Sequence, residues 1–276
     1  MSETDNLLLR LRQAQSGFSP TQARLGNFVH AHPDKVLYMT ITELARESGT
    51  SEASVTRLCR ALGCKGYNEF KMALALDIRR DSAASSMAGK DDIDALVNQS
   101  VRALQDTAKL LDREQLDAGA RALHEARSIV IYGVAASAIV GDYLHYKLLR
   151  LGKSVQLFSD MHRAAMSTVG LSSDDLVVAI SSSGSTRELL HVTKLAHQKG
   201  ARVMSLSNTP RSPLASMSDI LLVAAQPEDP LSAGALNAKV GVMLLVELLI
   251  TDLITRDARY KSISQQTASA TLPLLL

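Results

Sequence analysis

Asp175-Leu-Val-Val-Ala-Ile-Ser-Ser-Ser-Gly-Ser-Thr-Arg-Glu188 is an uncharged apolar run that breaks on serines and restarts as a helix. The run, residues 175–181, is too short for a helix. We read it as a strand buried on both faces. The bend 181–186 then aims backbone amides and small hydroxyls at a helix N-terminus, which suits a phosphate dianion. Gly184 lets the backbone come close, and Ser181, Ser183 and Thr186 supply donors. Ser185-x-x-Glu188 has capping-box spacing, so Glu188 is expected to cap its own helix and to accept a sugar hydroxyl. No Lys lies in the bend, unlike a triphosphate-binding P-loop.

Working outward, residues 128–132, 154–158, 202–207 and 220–224 are further short apolar runs. Helical stretches such as 137–151 and 187–199 separate them. Alternating β and α segments predict a parallel sheet covered on both faces. A second loop, Gly133-Val-Ala-Ala-Ser137, follows the first strand. If the first and third strands are neighbours, the two loops face each other at a switch point. Two helices, 93–111 and 114–126, precede the sheet. The apolar helix 236–255 is expected in the core or in a subunit interface. Residues from 261 onward read as a loosely held tail.

Upstream of a small, polar stretch from Asp81 to Gly89, every strong signal is helical. Ser19-Pro-Thr-Gln22 and Thr40-Ile-Thr-Glu43 are capping boxes, and Ser51 is a third N-cap. Gly49 sits in the turn between the second and third of these helices, where positive φ is cheap only for glycine. Ala45 allows a close crossing, while Val55 and Leu58 face back towards Leu44 and Ile41. That spacing fits a helix-turn-helix. Its second helix would turn Glu52, Ala53, Ser54, Thr56, Arg57 and Arg60 outward to base edges and phosphates. Ser51 is expected to hold a backbone phosphate, with Thr40, Lys65 and Lys71 flanking it. A plain helical hairpin with a solvated basic face is the bland alternative.

Charge is unevenly placed: residues 1–80 carry eleven Lys and Arg against eight Asp and Glu, whereas the remainder is slightly acidic. There is no Trp and aromatics are 4%, which argues against a base-stacking single-strand binder. Two cysteines, Cys59 and Cys64, make no disulfide scaffold and no zinc site; packing inside the helical domain is expected. Neither a cofactor nor a metal is implied. The richest apolar stretch, 240–254, is broken by Glu247 and Asp252, so no membrane span is expected. The acidic N-terminus lacks the basic start of a signal peptide, and a cytoplasmic protein is expected.

Ser-x-Ala-Ser-Val-x-Arg-Leu-Cys-Arg at 51–60, Gly66-Tyr67-x-x-Phe70-Lys71 after it, and Ser-x-Ser-Gly-x-Thr at 181–186 stand in that order. Over residues 5–256 the chain resembles the RpiR/MurR family of bacterial transcriptional regulators. The resemblance implies a multidomain protein. An all-α helix-turn-helix domain (1–80) and a linker (81–92) would precede an α/β SIS domain (93–260), a flavodoxin-like three-layer sandwich with a parallel sheet, and a tail (261–276). It implies double-stranded operator DNA and a phosphorylated sugar as partners. The sugar would meet Ser137, Ser181, Ser182, Ser183 and Thr186, within loops shaped by Gly133 and Gly184. Ala135 stands where relatives commonly carry a second glycine.

A single helix-turn-helix rarely holds an operator alone, so a homodimer or homotetramer is expected, assembled through apolar helices such as 236–255. Isomerases share the SIS domain, leaving a sugar-phosphate isomerase with an accessory helical domain as the alternative. Its base would come from Glu188, His145, His162 or His191, which nothing in the sequence pairs as acid and base. No catalytic residue is therefore assigned.

Overall fold

The structure, a computed structural model, describes residues 7–14, 17–83, 92–226 and 234–274. These fall into two compact units, one running to Asp94 and one from Ala95 onward.

The first unit is all helix: α1 (Leu7–Ala14), α2 (Pro20–Ala31), α3 (Pro33–Tyr38), α4 (Ile41–Glu47), α5 (Glu52–Ala61) and α6 (Tyr67–Ala83). Pro20 and Pro33 open α2 and α3 in their first turns, where a missing N–H costs nothing. Leu11, Leu25, Val29, Leu44, Val55, Leu58 and Phe70 form its core. Most of the expected linker, residues 84–91, lies outside the described residues; its first three residues, 81–83, continue α6.

The second unit opens within α7 (Asp92–Leu110), which is followed by α8 (Arg113–Glu125). Then strands and helices alternate: β1 (Ser128–Gly133), α9 (Ala136–Arg150), β2 (Val155–Phe158), α10 (Met161–Ser167), β3 (Asp175–Ile180), α11 (Arg187–Gln198), β4 (Arg202–Ser207) and β5 (Ile220–Val223). Two helices close the unit, α12 (Leu236–Arg256) and α13 (Arg259–Thr271). All neighbouring strands are parallel, in the order β2-β1-β3-β4-β5. Side chains alternate between the faces. Ile129, Ile131, Val178 and Leu206 pack under α8, α9 and α12. Val130, Tyr132, Val177 and Val203 pack under α10 and α11. The result is the expected three-layer sandwich, with its switch point between β1 and β3.

Side chains close the free edge of β5. Gln115 Oε1 accepts from Leu221 N at 3.0 Å and Thr107 Oγ1 from Ala225 N at 3.0 Å.

Leu245, Val246, Leu249 and Leu253 of α12 are fully buried in the unit's own core, the first of the two places expected for this helix. One expectation changes. The tail is mostly helix. In α13, Ile263 lies against Gly152, and Thr267 Oγ1 donates to Arg150 O at 3.0 Å. Few apolar residues punctuate 261–271, and these side-chain contacts to α9 hold it instead.

Candidate functional site

In the helical unit, Thr40 Oγ1 accepts from Glu43 N at 3.1 Å, while Glu43 returns a bond to Thr40 N at 2.9 Å. Ser51 Oγ likewise accepts from Ser54 N. Gly49 sits at φ +64°, and Arg24 donates to its carbonyl at 3.2 Å, holding the turn between α4 and α5. Cys59 and Cys64 are buried free thiols; burial, then the neighbouring Cys64, pushes the Cys59 thiol up to about 12. A thiol so hard to ionise packs rather than reacts.

Glu52, Ala53, Arg57, Arg60 and Lys65 are exposed, and Ser51 and Thr56 are accessible at the same helix start. Three of the side chains expected at DNA are engaged within the domain. Ser54 is buried; its Oγ lies 3.0 Å from Ser51 Oγ and accepts from the Arg57 guanidinium at 3.1 Å. The N-cap turns Ser54 inward, and a helical wheel alone does not register that. Thr40 is buried in its capping box. Lys71 Nζ donates to Met39 O at 3.1 Å over the Tyr67 ring, so its ammonium serves the domain's own chain.

In the α/β unit, the loops after β1 and β3 lie side by side at the carboxyl end of the sheet, because those strands pair directly. Ser181 Oγ accepts from Gly184 N at 3.1 Å and lies 3.4 Å from Thr186 Oγ1. Gly184 has φ +59°, and a Cβ there would stand 2.0 Å from Ser212 Oγ, so only glycine fits. Ser182 O accepts from Asn208 N, Ser207 Oγ and Thr209 Oγ1, which fixes the bend to the loop after β4. Ser183 is exposed, Ser137 is nearly buried in the first turn of α9, and Gly133 packs against the Ser137 backbone.

Three helices start around these loops, at Ala135, Thr186 and Ala235, and none has a side-chain cap. The first N–H groups of α11 are the donors an anion would use, whereas Ser137 N and Ala138 N of α9 and Ala238 N of α12 already donate to Val134 O, Ala135 O and Ala235 O. Ser185-x-x-Glu188 is corrected on this point. Thr186 occupies the N-cap position, no capping box forms, and Glu188 is exposed. Ala135 sits at φ +50°, ψ −128°, a conformation that glycine adopts far more readily than alanine.

Sequence reasoning missed Lys239. It is buried on the first turns of α12, and its Nζ donates to Ser182 Oγ at 2.5 Å. The loop without a lysine thus receives one from 57 residues downstream. A lone Lys inside an apolar helix was the available signal. Asn208 Nδ2 anchors the same helix start, donating to Ala238 O at 3.1 Å and to Ala225 O at 2.9 Å.

Glu188, His162 and His191 are exposed and His145 is half-buried. Among the described residues no hydrogen bond joins any two of them. No helix of the described residues is long and apolar enough to cross a membrane.

Known proteins carry the same two parts. Residues 5–81 match the helix-turn-helix domain of the rpiR family, and residues 122–252 match the SIS domain. An HTH-type transcriptional regulator of Caldanaerobacter subterraneus subsp. tengcongensis is 30% identical over 264 residues, 94% of this chain and 93% of that one. This chain belongs to the RpiR family of helix-turn-helix transcriptional regulators. Among solved structures, the Vibrio vulnificus NanR protein complexed with ManNAc-6P superposes with a TM-score of 0.91 at 44% identity, covering 98% of this chain and 100% of that one. The sugar isomerase domain of an RpiR transcription factor from Sphaerobacter thermophilus shares the fold at 21% identity and a TM-score of 0.59, over 65% of this chain and 99% of that one.

Proposed function

We propose that this regulator binds operator DNA through α5 and senses a phosphorylated amino sugar, of the N-acetylmannosamine 6-phosphate kind, at the carboxyl end of its sheet. The observation that carries the sensing half is the meeting of a buried ammonium with a hydroxyl-lined loop and three uncapped helix starts. Lys239 supplies the cation. Ser181, Ser183, Thr186 and the first amides of α11 hold the phosphate, with Gly184 allowing its approach. Ser182 presents the ammonium, and Ser137 and Glu188 face the sugar. The likeness to NanR supports the choice of ligand class.

On the DNA side, Ser51, Glu52, Ala53, Thr56, Arg57, Arg60 and Lys65 meet the duplex. The protein works in the cytoplasm as a homo-oligomer on paired half-sites about 34 Å apart or a multiple of that. Ligand binding shifts the subunit arrangement; a coupling of about 1–3 kcal/mol suffices for an effector. No turnover is assigned, because the candidate bases are not paired with one another or with the phosphate loop. A turnover assay with hexose phosphates that yields product would replace the sensor by an isomerase.

Two variants test the reading. Arg57→Ala with Arg60→Ala is expected to abolish operator binding, measured by fluorescence anisotropy, and to leave ligand binding intact. Ser183→Ala with Thr186→Ala is expected to do the reverse. Operator affinity equal to wild type in the first variant would remove α5 from the interface.

A further inference from the structure

Glu52 is an odd residue to find at the front of a DNA-facing helix. A duplex presents dense negative charge, so an exposed carboxylate there is repelled unless a base offers it a donor. Glu52 is the first residue of α5, the end that enters the groove in a helix-turn-helix. Its carboxylate is not left to wave. Thr42, exposed on α4, donates from Oγ1 to Glu52 Oε1 at 2.6 Å, tying the two helices together. Among the described residues no group donates to the other oxygen, Oε2. The next basic side chain on the helix is held as well, since the Arg57 guanidinium donates to buried Ser54.

We infer that Glu52, oriented by Thr42, reads a cytosine through its exocyclic amine, and so sets the base preference of each half-site. This rests on the proposed DNA reading of α5 and deepens it. In the major groove only two groups donate to an incoming acceptor, the N4 amine of cytosine and the N6 amine of adenine. Adenine places the N7 acceptor beside its amine, which repels a carboxylate. Cytosine places a carbon-bound hydrogen there. A carboxylate with one oxygen occupied and one open therefore favours cytosine. Glu52 also lies at a positive helix end, where it would stabilise α5 whether or not it touches a base. The experiment has to separate these two roles.

The full-length protein selects duplexes from a random pool, and single-position competitors are then measured by anisotropy. Wild type is expected to prefer C·G over other pairs at one position per half-site by about tenfold. Glu52→Gln keeps the side-chain length and the bond from Thr42 but now offers a donor and an acceptor. It is expected to move that preference to A·T, the pair glutamine matches bidentately. Thr42→Val removes only the hydroxyl and is expected to weaken the discrimination at that position. In both variants the slope of affinity against salt should stay unchanged, because no phosphate contact is lost.

A C·G preference that survives Glu52→Gln overturns the inference while leaving DNA binding by α5 standing. A changed salt slope with unchanged preference also overturns it, by placing Glu52 among the backbone contacts. Failure of the wild type to bind any duplex would overturn both it and the reading it rests on.

Discussion

The helix starts at the two candidate sites are built in opposite ways, although elsewhere α3 of the first unit is uncapped and α8 and α10 of the second are capped by Asp112 and Asp160. In the DNA-binding unit, Ser19, Thr40 and Ser51 each cap their own helix, so α2, α4 and α5 are satisfied before any partner arrives. In the sensing unit, α9, α11 and α12 open at Ala135, Thr186 and Ala235 without a side-chain cap. A recognition helix must be rigid when free, because its side chains do the reading. An anion site must leave N–H groups unspent, because the backbone does the binding.

The largest effect that would break this contrast lies at Lys239. Ligand at about 100 times its dissociation constant stabilises the folded protein by about 2.7 kcal/mol. Lys239→Met, which keeps the stem and drops the charge, is expected to lose most of that thermal shift with N-acetylmannosamine 6-phosphate. Operator affinity without ligand should stay as in wild type. A full ligand response in Lys239→Met would show that the uncapped helix starts suffice alone.

The opposite pole of the same strand gives a second test. At the amino end of β3, Asp175 is 1% exposed and receives two bonds from Arg127, at 3.0 and 2.7 Å, and two from Ser172. The Arg127 guanidinium holds its carboxyl below the ordinary 3.8. A carboxylate with a lowered folded pKa adds stability above its unfolded pKa and loses it as pH falls towards the folded value. Asp175→Asn is expected to cost about 2 kcal/mol at pH 7. The gap between variant and wild type should narrow as pH drops below about 4 in thermal denaturation. A pH-independent gap would mean the loss is one of packing.

The caps provide a smaller and more direct comparison. Ser51→Ala is expected to destabilise the ligand-free protein by about 1 kcal/mol, whereas Thr186→Ala, which removes no cap, should cost only a few tenths. Chemical denaturation of both variants measures the difference. Equal losses would erase the distinction between closed and open helix starts.

Local signals carried most of the fold. The capping boxes, Gly49 and the uncharged strand runs all act within a few residues, and each element they imply exists. The facing loops depended on β1 and β3 pairing, which strand patterns alone left conditional. Lys239 showed only as a lone Lys in an apolar helix, because its contact is long-range and links that helix to a serine 57 positions earlier. Ser54 was placed outward because helical periodicity carries no information about a cap that draws its neighbour in. The tail helix α13 is rich in Ser, Gln and Thr, so its sequence shows little of the face that meets Arg150 and Gly152.

Ala135 is where the open design strains its own backbone. At φ +50° and ψ −128° its Cβ crowds the chain, and such a residue costs about 1–3 kcal/mol. Ala135→Gly relieves that strain but adds unfolded-state freedom worth about 0.4–1 kcal/mol in the other direction. The strain term is the larger, so the ligand-free variant is expected to be slightly more stable, by about 0.5 kcal/mol, read as a small rise in melting temperature. Ala135 is exposed in the first loop, and removing its Cβ is expected to tighten sugar-phosphate binding. A lower melting temperature would mean that the loop relaxes Ala135 out of this conformation in solution, and the first helix start would then be less open than the other two.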